Sequence, residues 1–255
     1  MIHFVGAGSG APDLITVRGQ RLLQEADVII YAGSLVNPEL LVCKKEGCAV
    51  WNSATMTLEE VIDVMLKAEE QGQTTVRLHT GDPCLYGAIR EQMDILDEKN
   101  IPYDSCPGVS SFCGAAAALN LEYTLPDVSQ SVIITRMAGK TPVPERESIR
   151  SFAAHRASMV VFLSTGLLEE LSRELIAGGY LADTPAAIVY KATWPEEKKV
   201  LCTVGTLAGC AKENEITKTA LIIIGDAVTH ADYRRSDLYN PTFTTEFRQA
   251  KRVEP

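Results

Sequence analysis

The sequence predicts an α/β protein of two domains with mainly parallel or mixed sheets, and three observations carry that expectation. Short apolar runs alternate with amphipathic stretches of helical spacing along most of the chain. Some of those runs, such as Val28 to Tyr31, are apolar at every position, the pattern of a strand buried on both faces of a parallel sheet. The length of 255 residues suits two cores better than one, each domain holding roughly 110 to 130 residues.

The first domain is expected over 1–118. Ile2 to Val5 reads as a strand, Leu14 to Ala26 as a helix, and Val28 to Tyr31 as a second strand. Thr57-Leu58-Glu59-Glu60 has the form of a capping box opening a helix, with Gly72 just past its end. Thr75 to His79 is the next strand, followed by a helix around Ala88 to Leu96, a strand at Tyr103 to Cys106, and a small-residue helix at Ser111 to Leu119. Residues 119–130 contain Pro126, Asp127 and Ser129 with little periodicity and read as a linker. The second domain, 131–255, offers strands at Ser131 to Thr135, Met159 to Leu163, Ala187 to Tyr190, Lys199 to Val204 and Ala220 to Ile224. Its helices are expected at Glu145 to His155 and Leu167 to Ala177, and the tail from Thr229 is polar and aromatic.

Composition excludes several classes. With 46% apolar and 22% charged residues the chain is globular, and no apolar run reaches the ~20 residues that span a bilayer. Met1 to Val5 enters a strand with no basic flank, so no signal peptide and a cytoplasmic location are expected. The seven cysteines form no C-x-x-C pair and read as reduced thiols; His3, His79, His155 and His230 are scattered, so no protein-built metal site is expected. A net charge of −9 argues against nucleic acid as partner but allows a small polyanion held by a few local cations.

Three loops carry the chemistry. Val5-Gly6-Ala7-Gly8-Ser9-Gly10-Ala11-Pro12-Asp13 follows the first strand and precedes a helix, as a dinucleotide fingerprint would. The second strand, however, ends in Ala32-Gly33-Ser34 without the acid that would hold a ribose, and no Gly-Lys-Ser/Thr follows for a phosphate loop. Thr80-Gly81-Asp82-Pro83-Cys84-Leu85-Tyr86-Gly87 lies at a strand's carboxyl end, where open α/β sheets bind ligands. There Gly81 permits close backbone approach, and Asp82 is an acceptor suited to a cationic or hydroxyl-bearing ligand, although an Asp-Pro turn is the plain alternative. Pro107-Gly108-Val109-Ser110-Ser111 repeats the arrangement, with a serine as helix cap or as ligand contact.

Together the three loops resemble those of the tetrapyrrole (corrin/porphyrin) methyltransferase family, and the resemblance runs over nearly the whole chain. Tyr31-Ala32-Gly33-Ser34-Leu35-Val36-Asn37-Pro38, the run from Thr135 to Glu145 and Leu238-Tyr239-Asn240-Pro241-Thr242-Phe243-Thr244 are similar to the branch that methylates carbon 11 of precorrin-4 or its cobalt-containing counterpart. The resemblance implies an enzyme of cobalamin biosynthesis, with S-adenosylmethionine as co-substrate in an inter-domain cleft, a homodimeric assembly, a small-molecule tetrapyrrole substrate, and neither nucleic acid nor membrane as partner. It implies cofactor contacts at Ser9, Gly81, Asp82, Leu85, Ser110 and Ser111, and at Leu163, Ala187 and Ala220, which are expected at strand ends of the second domain. For the substrate carboxylates Arg136, Lys140 and Lys191 are the candidates, since guanidinium and ammonium groups pair with carboxylates.

Two positions depart from the family pattern. Ala11 stands where the first loop usually has Asp, and Ala32 where the uroporphyrinogen-III branch has Asp after its tyrosine. The second departure counts against uroporphyrinogen III and leaves the catalytic base unassigned. Other readings stay open at this point: a methyltransferase of the same fold acting on uroporphyrinogen III, another precorrin, ribosomal RNA or a diphthamide intermediate; a non-catalytic ligand-binding module; and a nucleotide-dependent oxidoreductase.

Overall fold

A computed structural model describes residues 1–33, 35–229 and 233–251. Ser34 and His230, both named above, lie outside the described residues. The chain forms two compact units: Met1–Ala117 with Lys191–Glu197, and the rest of the described chain. The return of 191–197 into the first unit has no counterpart in the sequence pattern. Residues 119–130 cluster with the second unit, because they are bonded into it: Ser158 donates its hydroxyl to Tyr123 O (2.6 Å) and its N–H to Ser129 Oγ (2.9 Å).

In the first unit five strands, β1 (Ile2–Gly6), β2 (Val28–Tyr31), β3 (Ala49–Asn52), β4 (Thr75–His79) and β5 (Tyr103–Cys106), pair in parallel in the order β3-β2-β4-β1-β5. The strand alternation sorts side chains to two faces. Val5, Ile29, Val76 and Leu78 pack with Leu23 of α1 (Val17–Glu25), Ile15 and Leu40. Ile2, Phe4, Val28 and Ile30 pack instead with α2 (Leu58–Glu70) and α3 (Arg90–Glu98) through Val61, Ile62, Met65, Met93 and Leu96. Burying each such side chain stabilises the unit by about 1.5–3 kcal/mol.

Local chemistry sets the boundaries. Thr16 accepts from Gly19 N (3.0 Å), so α1 begins at Val17 and not at Leu14. The capping box at Thr57 is formed from both sides, at 3.3 Å and 2.8 Å. β3 was not expected: it is a four-residue edge strand whose residues are all exposed, and its apolar run, Ala49-Val50-Trp51, is short.

The second unit holds β6 (Val132–Arg136), β7 (Ser158–Phe162), β8 (Pro185–Tyr190), β9 (Lys198–Thr203) and β10 (Ala220–Ile224) in the order β6-β7-β10-β8-β9. β6 and β7 are parallel; β10 runs antiparallel to β7 and β8, and β9 to β8. One face packs on α5 (Ile149–Ala153), α6 (Leu168–Gly178) and α7 (Leu207–Glu213) through Ile149, Leu171, Leu175, Leu207 and Ala211. The helix expected over Glu145 to His155 is shorter, because its first turn is 3-10 and Ser148 caps Ile149 onward by accepting from Ser151 N. Among the described residues no helix is long and apolar enough to cross a membrane.

Candidate functional site

β4, β1 and β5 are neighbours in the first sheet, so the loops leaving their carboxyl ends meet. These are the three loops singled out by sequence. The first and second are joined by a two-residue ladder, Gly8 N to Gly81 O (3.3 Å) and Gly81 N to Gly8 O (2.8 Å). The first and third touch through backbone: a Cβ at Gly6 would lie 2.5 Å from Gly108 Cα and 2.6 Å from Gly81 O. Only glycine allows that approach.

Asp82 joins the second loop to the third. Its Oδ2 accepts from Gly108 N (2.9 Å) and its Oδ1 from Cys84 N (2.8 Å). Burial alone would raise the carboxyl's pKa, but the bonds from Cys84 and Gly108 outweigh it and hold the group below the usual carboxylate range. Asp82 is thus a carboxylate occupied by the protein itself, a duty its place in an Asp-Pro turn did not reveal.

The end of the second loop is fixed from below. Arg77 of β4 is buried, among the described residues without a carboxylate partner; its Nε donates to Gln92 Oε1 (3.2 Å) and its Nη1 to Ile30 O (3.2 Å). Gln92 in turn donates to Ala88 O (2.9 Å), where Tyr86 and Ala88 hold φ of 55° and 49°. Burial lowers the Arg77 pKa to about 10. The adjacent His79 is buried, stacks on Phe4, and is pushed down to about 3, by burial first and Arg77 second.

The run Tyr31 to Pro38 braces these loops from the side. Buried Asn37 donates Nδ2 to Gly10 O (3.0 Å), and Leu35 O accepts from Thr80 Oγ1 (3.1 Å). From the other side comes 191–197, where Thr193 Oγ1 accepts from Ala11 N (3.0 Å) and lies 3.1 Å from Ser9 Oγ. Asn37 was visible in sequence only as part of a family-like string, and Thr193 carried no signal.

Of the expected cofactor contacts, Ser9, Gly81, Asp82, Leu85, Ser110 and Ser111 therefore stand on one cluster of loops in the first unit. Ser110 is buried and its carbonyl accepts from Cys113 N and Gly114 N at the start of α4 (Ser111–Leu119). In the second unit Leu163 follows β7 at φ 53° and is 68% exposed, while Ala220 opens β10. The register of β6, β7, β8 and β10 puts Arg136, Leu163, Tyr190 and Ala220 toward the same sheet end. Ala187 is not at that end: it lies three residues before Tyr190 on β8, and because β8 starts at Pro185 it is not at the other end either but inside the strand, fully buried and paired on both sides.

The candidate cations differ in their duties. Arg136 spends its guanidinium on a loop, donating to Met137 O (3.1 Å), Thr141 O (3.2 Å) and Pro142 O (2.8 Å). Lys140, on that loop, is exposed. Lys191 pairs with Glu196 (3.5 Å) and lies over the Trp194 ring at 5.1 Å. A groove of about 560 Å³ also runs beside β3 and α2, but none of its lining residues belongs to the three loops. Among the described residues no group of three His, Cys, Asp or Glu side chains could hold a metal ion.

Comparison with known proteins agrees with this architecture. Residues 1–208 match the family model described as Tetrapyrrole (Corrin/Porphyrin) Methylases. The chain is 50% identical to a cobalt-precorrin-4 C(11)-methyltransferase of Methanocaldococcus jannaschii, over 98% of this chain and 96% of that one. A solved cobalt-precorrin-4 methyltransferase superposes with a TM-score of 0.87 at 46% identity, covering 89% of this chain and 95% of its own. A uroporphyrin-III C-methyltransferase from Thermus thermophilus, solved with S-adenosylhomocysteine, matches at TM-score 0.73 and 26% identity over 89% and 92%. Loops, sheet order and end-to-end similarity lead to one conclusion: the chain belongs to the tetrapyrrole (corrin/porphyrin) methylase family.

Proposed function

We propose that this protein transfers a methyl group from S-adenosylmethionine to carbon 11 of precorrin-4 or cobalt-precorrin-4 in cobalamin biosynthesis, giving the corresponding precorrin-5. The observation that carries the reading is the end-to-end half identity to an enzyme of that name. The loop cluster fits the co-substrate. Its glycines let three loops pack backbone to backbone, where a Cβ at Gly6 or Gly108 would strike the neighbouring loop, and Ser9 and Ser110 are buried among them. Ser9, Gly81, Asp82, Leu85, Ser110 and Ser111 are the contacts proposed there, with Leu163 and Ala220 as candidates on the second unit.

S-adenosylmethionine supplies an already activated methyl and leaves as a neutral thioether, so the protein's task is orientation. Holding two reactants in line accounts for about 7–11 kcal/mol of such a barrier. For the substrate carboxylates Arg136 is the first candidate, because among the described residues carbonyl dipoles and no carboxylate meet its charge, with Lys140 beside it and Lys191 third. We further propose a cytoplasmic homodimer, on family resemblance. The test is incubation of the purified protein with S-adenosylmethionine and either metal-free or cobalt-containing precorrin-4, followed by mass spectrometry. A gain of one methyl at C11 is expected with at least one substrate; no gain with either would overturn the reading.

A further inference from the structure

We infer that Thr193 is a positioning residue for the methyl-transfer site, holding the first glycine-rich loop in its ligand-binding shape. The inference rests on the proposal that this loop holds S-adenosylmethionine. Thr193 is a β-branched residue at φ 69°, a backbone conformation such residues adopt only when their surroundings impose it. Its neighbours impose it: the Thr193 N–H donates to Glu197 Oε2 (2.7 Å) and Trp194 N to Lys191 O (3.0 Å), closing a tight loop.

That conformation delivers one hydroxyl to two places. Thr193 Oγ1 accepts from Ala11 N at 3.0 Å and shares a hydrogen bond with Ser9 Oγ at 3.1 Å. Its methyl group packs where a Cβ at Gly114 would lie 3.3 Å away, so the same residue reaches α4 at the end of the third loop. Next to it Trp194 covers Gly10 (φ 156°), where a Cβ would lie 2.2 Å from the indole Cδ1. Asn37 holds Gly10 O from the opposite side. The strand-to-strand connection 191–197 thus closes over residues 9–11 and fixes the Ser9 hydroxyl.

The test compares Thr193→Val, Thr193→Ser and Thr193→Gly with wild type. The readouts are S-adenosylhomocysteine affinity by calorimetry, KM and kcat for methyl transfer, and thermal unfolding. Val keeps the shape and loses the hydroxyl, leaving Ala11 N–H without its acceptor; about tenfold weaker affinity and raised KM are expected, with kcat changed less. Ser keeps the hydroxyl and should bind within about threefold of wild type. Gly relieves the backbone strain, so it should unfold no earlier than wild type yet bind as weakly as Val. If Val fails to fold, the Gly–Ser comparison decides. Wild-type-like affinity in Val or Gly, or Ser as weak as Val, would overturn the positioning role and leave the cofactor reading intact. A wild-type protein that binds no S-adenosylhomocysteine would remove the cofactor reading, and this inference with it.

Discussion

Replacing Asp82 by alanine separates two duties that one carboxylate can have. In the protein its oxygens accept from Cys84 N at 2.8 Å and Gly108 N at 2.9 Å, tying the second loop to the third. Hydrogen bonds to a charged acceptor contribute about 1.5–3 kcal/mol each when buried. Asp82 is only half-buried, and the freed amides regain water, so about 1–1.5 kcal/mol per bond is the better figure, or about 2–3 kcal/mol in all. For a chain of this size that lowers the Tm by about 5–10 °C.

Circular dichroism melts at pH 7 measure it, and Asp82→Asn, which keeps one acceptor, should lose about half as much. The pH dependence has a definite sign. The folded carboxyl titrates below its ordinary value, so its stabilisation is complete above the unfolded pKa of about 3.9 and fades as pH falls through the folded one. The gap between wild type and Asp82→Ala should therefore close only in acid. A Tm for Asp82→Ala within 1 °C (roughly the error of such a melt) would refute the tie between loops. An unchanged Tm with S-adenosylhomocysteine affinity lost would mean that Asp82 serves the ligand directly.

Two further outcomes follow from a buried and a half-buried basic side chain. His79 is held neutral, with its pKa pushed down to about 3, so the unfolded chain takes up this proton first and stability is lost as pH falls from 6.5 toward 3. At pH 5 that amounts to about 2 kcal/mol; urea unfolding of wild type and His79→Leu at pH 7 and pH 5 should show the difference between them shifting by that amount, and a pH-independent difference would sink the idea. Arg136→Ala should raise the KM for the tetrapyrrole about tenfold or more, with S-adenosylhomocysteine affinity within about twofold, because its loss removes a carboxylate partner and unfastens residues 137–142. An unchanged tetrapyrrole KM in steady-state kinetics would take Arg136 out of the substrate site.

What the sequence made legible depended on whether a signal was local. β2 and β10 are uninterrupted apolar runs and β1 is nearly so, and burial on both faces is their cause, whereas β4 alternates, with Val76 and Leu78 set between buried Thr75, Arg77 and His79. β3 has only the short run Ala49-Val50-Trp51, and as an edge strand it is held by backbone pairing to β2 while its side chains are exposed. Start points slipped where a cap decided them, at Thr16 and Ser148. Ala187 was expected at a strand end, but Pro185 opens β8 and Ala187 falls inside it, because a proline can start a strand as readily as end a loop. The glycines of the three loops could be read from their order behind strands. Asn37 and Thr193 could not: they bond to the first loop across 27 and more than 180 positions, and nothing in their neighbourhoods announces the partner.

The same loops bear on the kind of catalysis proposed for this protein. Their titratable groups are set away from neutrality in opposite directions. The Asp82 carboxyl is held ionised by backbone donors, and the Cys84 thiol is raised, first by its bond with Asp82 and then by burial, so it stays protonated. Proton shuttling near neutral pH calls for a group that titrates there, and neither of these does. What the loops supply is a rigid surface. Glycine backbones meet at van der Waals distance, each loop is bonded to the next, and Asn37 and Thr193 hold the first loop from both sides. A transfer whose electrophile arrives activated and whose leaving group departs neutral asks a protein for geometry before acid–base chemistry. Here the sequence invests its rarest backbone conformations and its buried hydroxyls in that geometry.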